Sequence, residues 1–162
     1  KKKKINQPDY LKKINSAVQS VMFDLSMKII CDGEGISKLM QININSAKNY
    51  KQASIIAFSI ANSQLVKTAI AGQDANWGRV IMAIGKTNLN INQNKIKLKF
   101  GNLLVAFNGQ INPKIDHKKL DLYMKRKKIE VNVDLGIGKY KRTVYASDLT
   151  HEYIRINADY RS

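Results

Sequence analysis

Apolar residues recur along the chain with two different periods, and the places where one period gives way to the other mark out the elements. Over residues 9–30, Leu11, Ile14, Val18, Val21, Met22, Leu25 and Ile29 stand three or four apart, the spacing of a helix with one buried face. Pro8 or Asp9 suits its start, and Gly33 is expected to supply a left-handed stop. Met40, Ile42 and Ile44 then alternate with Gln41 and Asn43, which predicts a half-buried strand. A second helix is expected from a cap at Ser46 to about Asn62, with Tyr50, Ala53, Ile56, Ala57 and Ile60 inward. From Leu65 the pattern predicts a short strand, a polar turn around Gly72, and a helix capped by Asp74 or Asn76 that runs through Val80, Ile81 and Ile84 to Gly85.

Strand periods dominate the second half. Ile96, Leu98 and Phe100 alternate with lysines, and an apolar run over residues 103–107 ends at Asn108-Gly109. Leu120, Tyr123 and Met124 share one side of a weaker helix over residues 116–127. Ile129, Val131, Val133 and Leu135 alternate, Gly136-Ile137-Gly138 turns, and residues 140–147 are expected to return as the hairpin partner. This order predicts one α+β domain over residues 1–162, with a mixed, largely antiparallel sheet and helices packed on it. The final residues, 148–162, keep Tyr153, Ile154, Ile156 and Tyr160 among polar neighbours to the end, so the tail is expected to dock on the body, bringing Asn157 and Ser162 with it.

Composition adds three constraints. At 162 residues, the chain is long enough to bury one real core. No apolar run approaches the ~20 residues that span a bilayer, and no apolar segment follows the basic positions 1–4 as a signal peptide requires, so no membrane partner is expected. Cys31 is the single cysteine, which rules out an internal disulfide and suits a reducing, cytoplasmic setting. Lys1 in place of an initiator methionine suggests a processed or trimmed chain. The 28 Lys and Arg against 12 Asp and Glu give a net charge of +16, which raises nucleic acid as a partner. Neither lysine cluster is interleaved with stacking aromatics, however, and no nucleic-acid module signature is present, so no nucleic-acid partner is expected and a basic nucleic-acid-binding module stays only the alternative reading.

Candidate chemistry concentrates in few places. Glu34 stands between Gly33 and Gly35, where the backbone turns sharply and a ligand can approach without meeting a side chain; spacing alone favours an ordinary exposed turn glutamate over a ligand contact. The helix start near Asn76 could receive an anion on its free amides, or Asn76 is only a cap and Trp77 a core anchor; the glycine spacing is neither that of a Walker loop nor that of a dinucleotide loop. His117 and His151 lie far apart without Cys or acidic residues at ligand spacing, so no metal is expected.

Three strings, CDGEGISK at residues 31–38, ANSQLVKTAIAGQDANWGRVIMAIG at residues 61–85 and DLTHEYIRINADYRS at residues 148–162, together closely resemble the C-terminal part of the bifunctional ornithine acetyltransferase and N-acetylglutamate synthase family of arginine biosynthesis. The resemblance implies a layered fold of sheets and helices and an acyltransferase that cuts its own precursor, then uses the threonine at the head of the second chain as nucleophile. Acetyl passes from N-acetylornithine to that threonine and on to glutamate. No cofactor is implied, although bifunctional members also use acetyl-CoA as a substrate. On this reading the nucleophile lies upstream of Lys1, since Thr68, Thr87, Thr143 and Thr150 are all internal, and the segment alone is expected to be inactive. The implied partners are the family's alpha chain and the missing N-terminal part of the beta chain, in a heterotetramer of two alpha and two beta chains. Three substrate contacts carry over: Glu34 as the acidic contact, Asn157 as the amide contact and Ser162 at the last position. Ala75 stands where the family usually has proline. A catalytically dead relative of the family is a further alternative.

Overall fold

The computed structural model describes residues 7–159. Helix α1 spans Gln7–Cys31, strand β1 Leu39–Ala47, helices α2 Tyr50–Ala61, α3 Gln64–Ala71 and α4 Trp77–Gly85, strands β2 Lys97–Phe100, β3 Leu103–Phe107 and β4 Gln110–Ile111, helix α5 His117–Met124, strands β5 Lys128–Asp134 and β6 Tyr140–Ser147, and helix α6 His151–Ala158. The strands form one six-stranded sheet in the order β4-β3-β2-β5-β1-β6. β1 and β5 run parallel, and every other pairing is antiparallel. The mixed, largely antiparallel sheet follows the pattern of alternation in the sequence.

Register explains where the core lies. Met40, Ile42 and Ile44 of β1 stand beside Ile129, Val131 and Val133 of β5, and all six are fully buried on one face. Full burial of side chains of this size is worth ~1.5–3 kcal/mol each. Helix α2 lays Ala53, Ile56, Ala57 and Ile60 on the same face, and α4 packs behind it, with Ser59 Oγ donating to the Ala83 carbonyl at 2.6 Å. Odd positions of β1 point the other way, and Gln41, Asn43 and Asn45 are only half-buried there.

Several expectations are corrected. The cap of α2 is Asn49, whose side chain accepts from Gln52 N at 2.8 Å; Ser46 instead sits at φ 54° in the bulge near the end of β1. The run from Leu65 is the helix α3, capped by Ser63, because an apolar stretch this short fits either period. The left-handed residue after α1 is Gly35, at φ 65°, and Gly33 is not left-handed. β6 is no hairpin partner of β5: it lies antiparallel to β1, on the far side from β5. The turn over residues 136–138 carries the chain across the end of β1, with Ile137 N donating to the Ser46 carbonyl, and a Cβ on Gly138 would collide with the Ala47 carbonyl.

The expected buried face of α1 is also overturned. Its stripe is real, yet Val18, Val21, Met22 and Leu25 are exposed and Ile29 is 75% exposed. Periodicity reports a face that wants cover; among the described residues α1 meets the sheet along β6, where the Phe23 ring contacts Tyr145 at 5.5 Å, edge to face.

Candidate functional site

The turn that carries Glu34 is held from both sides. Asp148, 2% exposed at the end of β6, accepts from Ser37 N at 2.9 Å, from Lys38 N at 3.0 Å and from Ser37 Oγ, while its own N–H donates to the Lys38 carbonyl. Thr150 then caps α6, accepting from Tyr153 N at 3.1 Å, and its hydroxyl also donates to the Gly35 carbonyl. Gly35 is glycine for two reasons. Its φ is left-handed, and a Cβ there would run into the backbone of Glu152 and Tyr153. The glycine thus lets the root of α6 press against the turn.

Beside this junction opens a cleft of about 670 Å³ between three segments: the turn with Gly33, Glu34 and Ile36, the start of α3 with Asn62, Gln64 and Lys67, and the root of α6 with Ser147, Asp148, Leu149, Tyr153 and Ile154. Leu149 N donates to the Lys67 carbonyl at 3.4 Å, which ties the second segment to the third. Glu34 makes no ion pair or side-chain hydrogen bond among the described residues, so its carboxylate is available to a ligand. Lys67, half-buried, supplies the lone positive side chain of the lining among the described residues. The described residues of the cleft offer one free charge of each sign over an apolar wall of Ile36, Leu149 and Ile154, a lining suited to a small zwitterion or an amino-acid derivative.

Of the residues singled out in the sequence, Glu34 lies in this cleft. Asn157 does not line it: it is exposed one helical turn beyond Tyr153 on the same face of α6, its Nδ2 donating to the Tyr153 carbonyl at 2.9 Å. Ser162 lies outside the described residues. Among the described residues the tail docks at its root, and residues 151–158 coil into a helix whose Tyr153 and Ile154 stay 43% and 55% exposed. Sequence reasoning missed Lys67, Tyr153 and Ile154 as lining residues. The one signal for Lys67 was its place as the single charge between Leu65 and Gly72, and reading that run as a strand hid it.

Elsewhere the structure gives plain roles. Asn76 caps α4 by accepting from Arg79 N at 3.1 Å, and its Nδ2 donates to Asp74 Oδ2 at 3.0 Å, so the chain's own carboxylate sits at that helix start. Arg79 reaches back to the Leu65 carbonyl at 2.8 Å and to Thr68 Oγ1, bracing α3. Trp77 packs against the core. At the far edge of α6, the Arg155 guanidinium donates to the Glu152 carboxylate and holds its pKa below the usual value. No single helix among the described residues is long and apolar enough to cross a membrane.

Comparison with known proteins covers nearly the whole chain. Residues 2–162 match the ArgJ family. An arginine biosynthesis bifunctional protein ArgJ from Zymomonas mobilis is 46% identical over 150 residues, covering 93% of this chain and 37% of that protein. The protein of the same description from Bartonella henselae is 45% identical over 145 residues, 90% of this chain and 35% of its own length. The chain therefore spans a little over a third of the curated relatives it matches. A crystal structure of the arginine biosynthesis bifunctional protein argJ from Bacillus halodurans superimposes with a TM-score of 0.86 at 35% identity, covering 92% of this chain and 70% of that one. A match of this extent in sequence and fold, carried through the glycine-flanked turn and the tail alike, places the chain in the ArgJ family.

Proposed function

We propose that this chain is the C-terminal portion of the second chain of a self-cleaving acetyltransferase of arginine biosynthesis, and that it supplies the amino-acid-binding side of the active site. The observation that carries the reading is the Glu34 carboxylate, unpaired among the described residues, in a cleft shared by two of the strings that carry the resemblance, the glycine-flanked turn and the root of the tail. Lengths agree with a cut precursor: the chain is 37% of a curated relative but 70% of the crystallised chain, which is therefore about half as long.

The chemistry runs in two half-reactions. A threonine hydroxyl, its proton taken by its own free amine, attacks the acetyl carbonyl of N-acetylornithine. The C–O bond forms, the C–N bond breaks, and the proton passes to the departing ornithine amine. Glutamate's amine then attacks the acetyl ester, the new C–N bond forms, and the threonine oxygen leaves and regains its proton. Acetyl-CoA enters the first half-reaction as a second donor in a bifunctional enzyme. None of this needs a cofactor. The nucleophile comes from the part of the protein beyond this chain, the alpha chain completes the site in a heterotetramer, and the cytoplasm holds the substrates.

Within this scheme Glu34 accepts from the side-chain ammonium of the donor. Asn157 stands one turn, ~5.4 Å, along the same helical face from Tyr153, where a substrate reaching out of the cleft meets its amide. Ser162, which lies outside the described residues, is assigned to the substrate by the family resemblance alone. A hydrogen bond to a charged group is worth ~1.5–3 kcal/mol, so Glu34→Gln in the complete enzyme raises the KM for N-acetylornithine ~10- to 100-fold, and Asn157→Ala does so toward the lower end. Steady-state kinetics with both substrates test this. Wild-type constants in both variants would take the cleft out of the reaction.

A further inference from the structure

The proposed reaction sets the cleft a problem in charge, and the following rests on that reading. Donor and acceptor use the same nucleophile in turn, yet one carries a side-chain ammonium and the other a side-chain carboxylate. A cleft whose only free charge was Glu34 would hold the first and repel the second.

Lys67 has the placement to resolve this. It is the single basic residue of the lining among the described residues. Of the two acids there, Asp148 is committed to Ser37 and Lys38, which leaves Glu34. The Lys67 side chain makes no ion pair or hydrogen bond among the described residues, and it is not paired with Glu34. Its backbone is fixed: Val66, Ala69 and Ile70 are buried beneath it, and its carbonyl accepts from Leu149 N. A half-buried lysine with no ion-pair or hydrogen-bond partner among the described residues, on a helix anchored on its other side, is set to receive an anion.

We propose that Lys67 is a specificity residue for the acceptor half-reaction, binding the side-chain carboxylate of the amino acid that takes the acetyl group, while Glu34 serves the cationic donor. No covalent step is added. The pair lets one cleft accept side chains of opposite sign in alternation.

The test separates the half-reactions in the complete enzyme. Acylation is followed as ornithine release from N-acetylornithine without acceptor, and deacylation as decay of the acetyl-enzyme at increasing glutamate or glutamine. Lys67→Met raises the glutamate concentration needed ~10- to 100-fold, shifts the donor dependence far less, and collapses the preference for glutamate over neutral glutamine. Lys67→Arg restores much of that preference. Lys86→Met, at the end of α4 and outside the cleft, is the control for loss of one positive charge. Equal losses in both half-reactions, or an unchanged glutamate-to-glutamine ratio in Lys67→Met, overturn the proposal. A complete enzyme that forms no acetyl-enzyme at all overturns the function reading itself and is told apart by the unsubstituted protein's behaviour.

Discussion

Asp148 is the residue on which the cleft's geometry turns, and truncating it gives a measurable consequence. Its carboxylate accepts from two backbone N–H groups, at 2.9 and 3.0 Å, and from the Ser37 hydroxyl, in a position 2% exposed. Asp148→Ala removes three hydrogen bonds to a charged acceptor and strands the Ser37 and Lys38 amides where water reaches poorly. Each such bond is worth ~1.5–3 kcal/mol and each stranded amide costs ~1–3 kcal/mol, but the groups share one site and their effects are not additive. The expected loss is about 3–4 kcal/mol, which for a chain of this size lowers Tm by ~6–16 °C. Asp148→Asn keeps an acceptor oxygen for both amides, and the Ser37 hydroxyl can rotate to accept from the new amide, so its cost is near ~1 kcal/mol. Urea denaturation of both variants checks the pair. A loss under ~1 kcal/mol for the alanine variant, or equal losses for the two, would refute the account of this turn as held by acceptor geometry.

Two further outcomes test neighbouring contacts. Gly35→Ala meets both a left-handed φ and the backbone of α6, so it costs at least the ~1–2 kcal/mol of the backbone conformation and raises the KM for the donor; Gly33→Ala, whose Cβ would meet mainly the movable Ile36 side chain, costs less. Tyr123→Phe leaves Glu130 N without its acceptor at 2.9 Å and destabilises by ~1–2 kcal/mol in urea. Burial holds the Tyr123 pKa above its ordinary 10.0, so below that pH the hydroxyl is neutral in both states and makes no difference; as pH rises above it the unfolded chain loses its proton first and stability falls. The phenylalanine variant lacks that contribution and shows a shallower alkaline decline in stability, measured as the difference between the two proteins.

The elements themselves were largely legible, since alternation in β1, β2 and β5 and the helical spacing of α2 and α4 are imposed by the core they build. What failed was whatever depends on distant chain. The α1 stripe said that a face requires cover and could not say that Val18, Val21 and Ile29 lack it among the described residues. The eight residues of α3 were too few to fix a period. Glu34 was visible because two glycines frame it, and Lys67 was not, because a lone lysine on a short element carries no pattern of its own.

The misread hairpin matters most, because the true pairing is what builds the cleft. Residues 136–138 look like a hairpin turn, and a hairpin would have laid β6 against β5, bringing Ser147 opposite the start of β5. Instead the chain crosses the end of β1 and descends on its far side, so that Ser147 comes opposite Leu39, the first residue of β1. The turn before β1 carries Glu34, and the residue after Ser147 is Asp148. Antiparallel pairing of β6 with β1 therefore forces the root of α6 against the glycine-flanked turn, across more than a hundred residues of sequence. Pairing with β5 would have left β5 between them and moved the root away by one strand spacing, ~4.8 Å, beyond the reach of Asp148 to Ser37 and Lys38. Gly138 makes the crossing sterically possible, since any side chain there meets the Ala47 carbonyl. A glycine more than a hundred residues from Glu34 in the chain thus decides whether its carboxylate shares a cleft with α6.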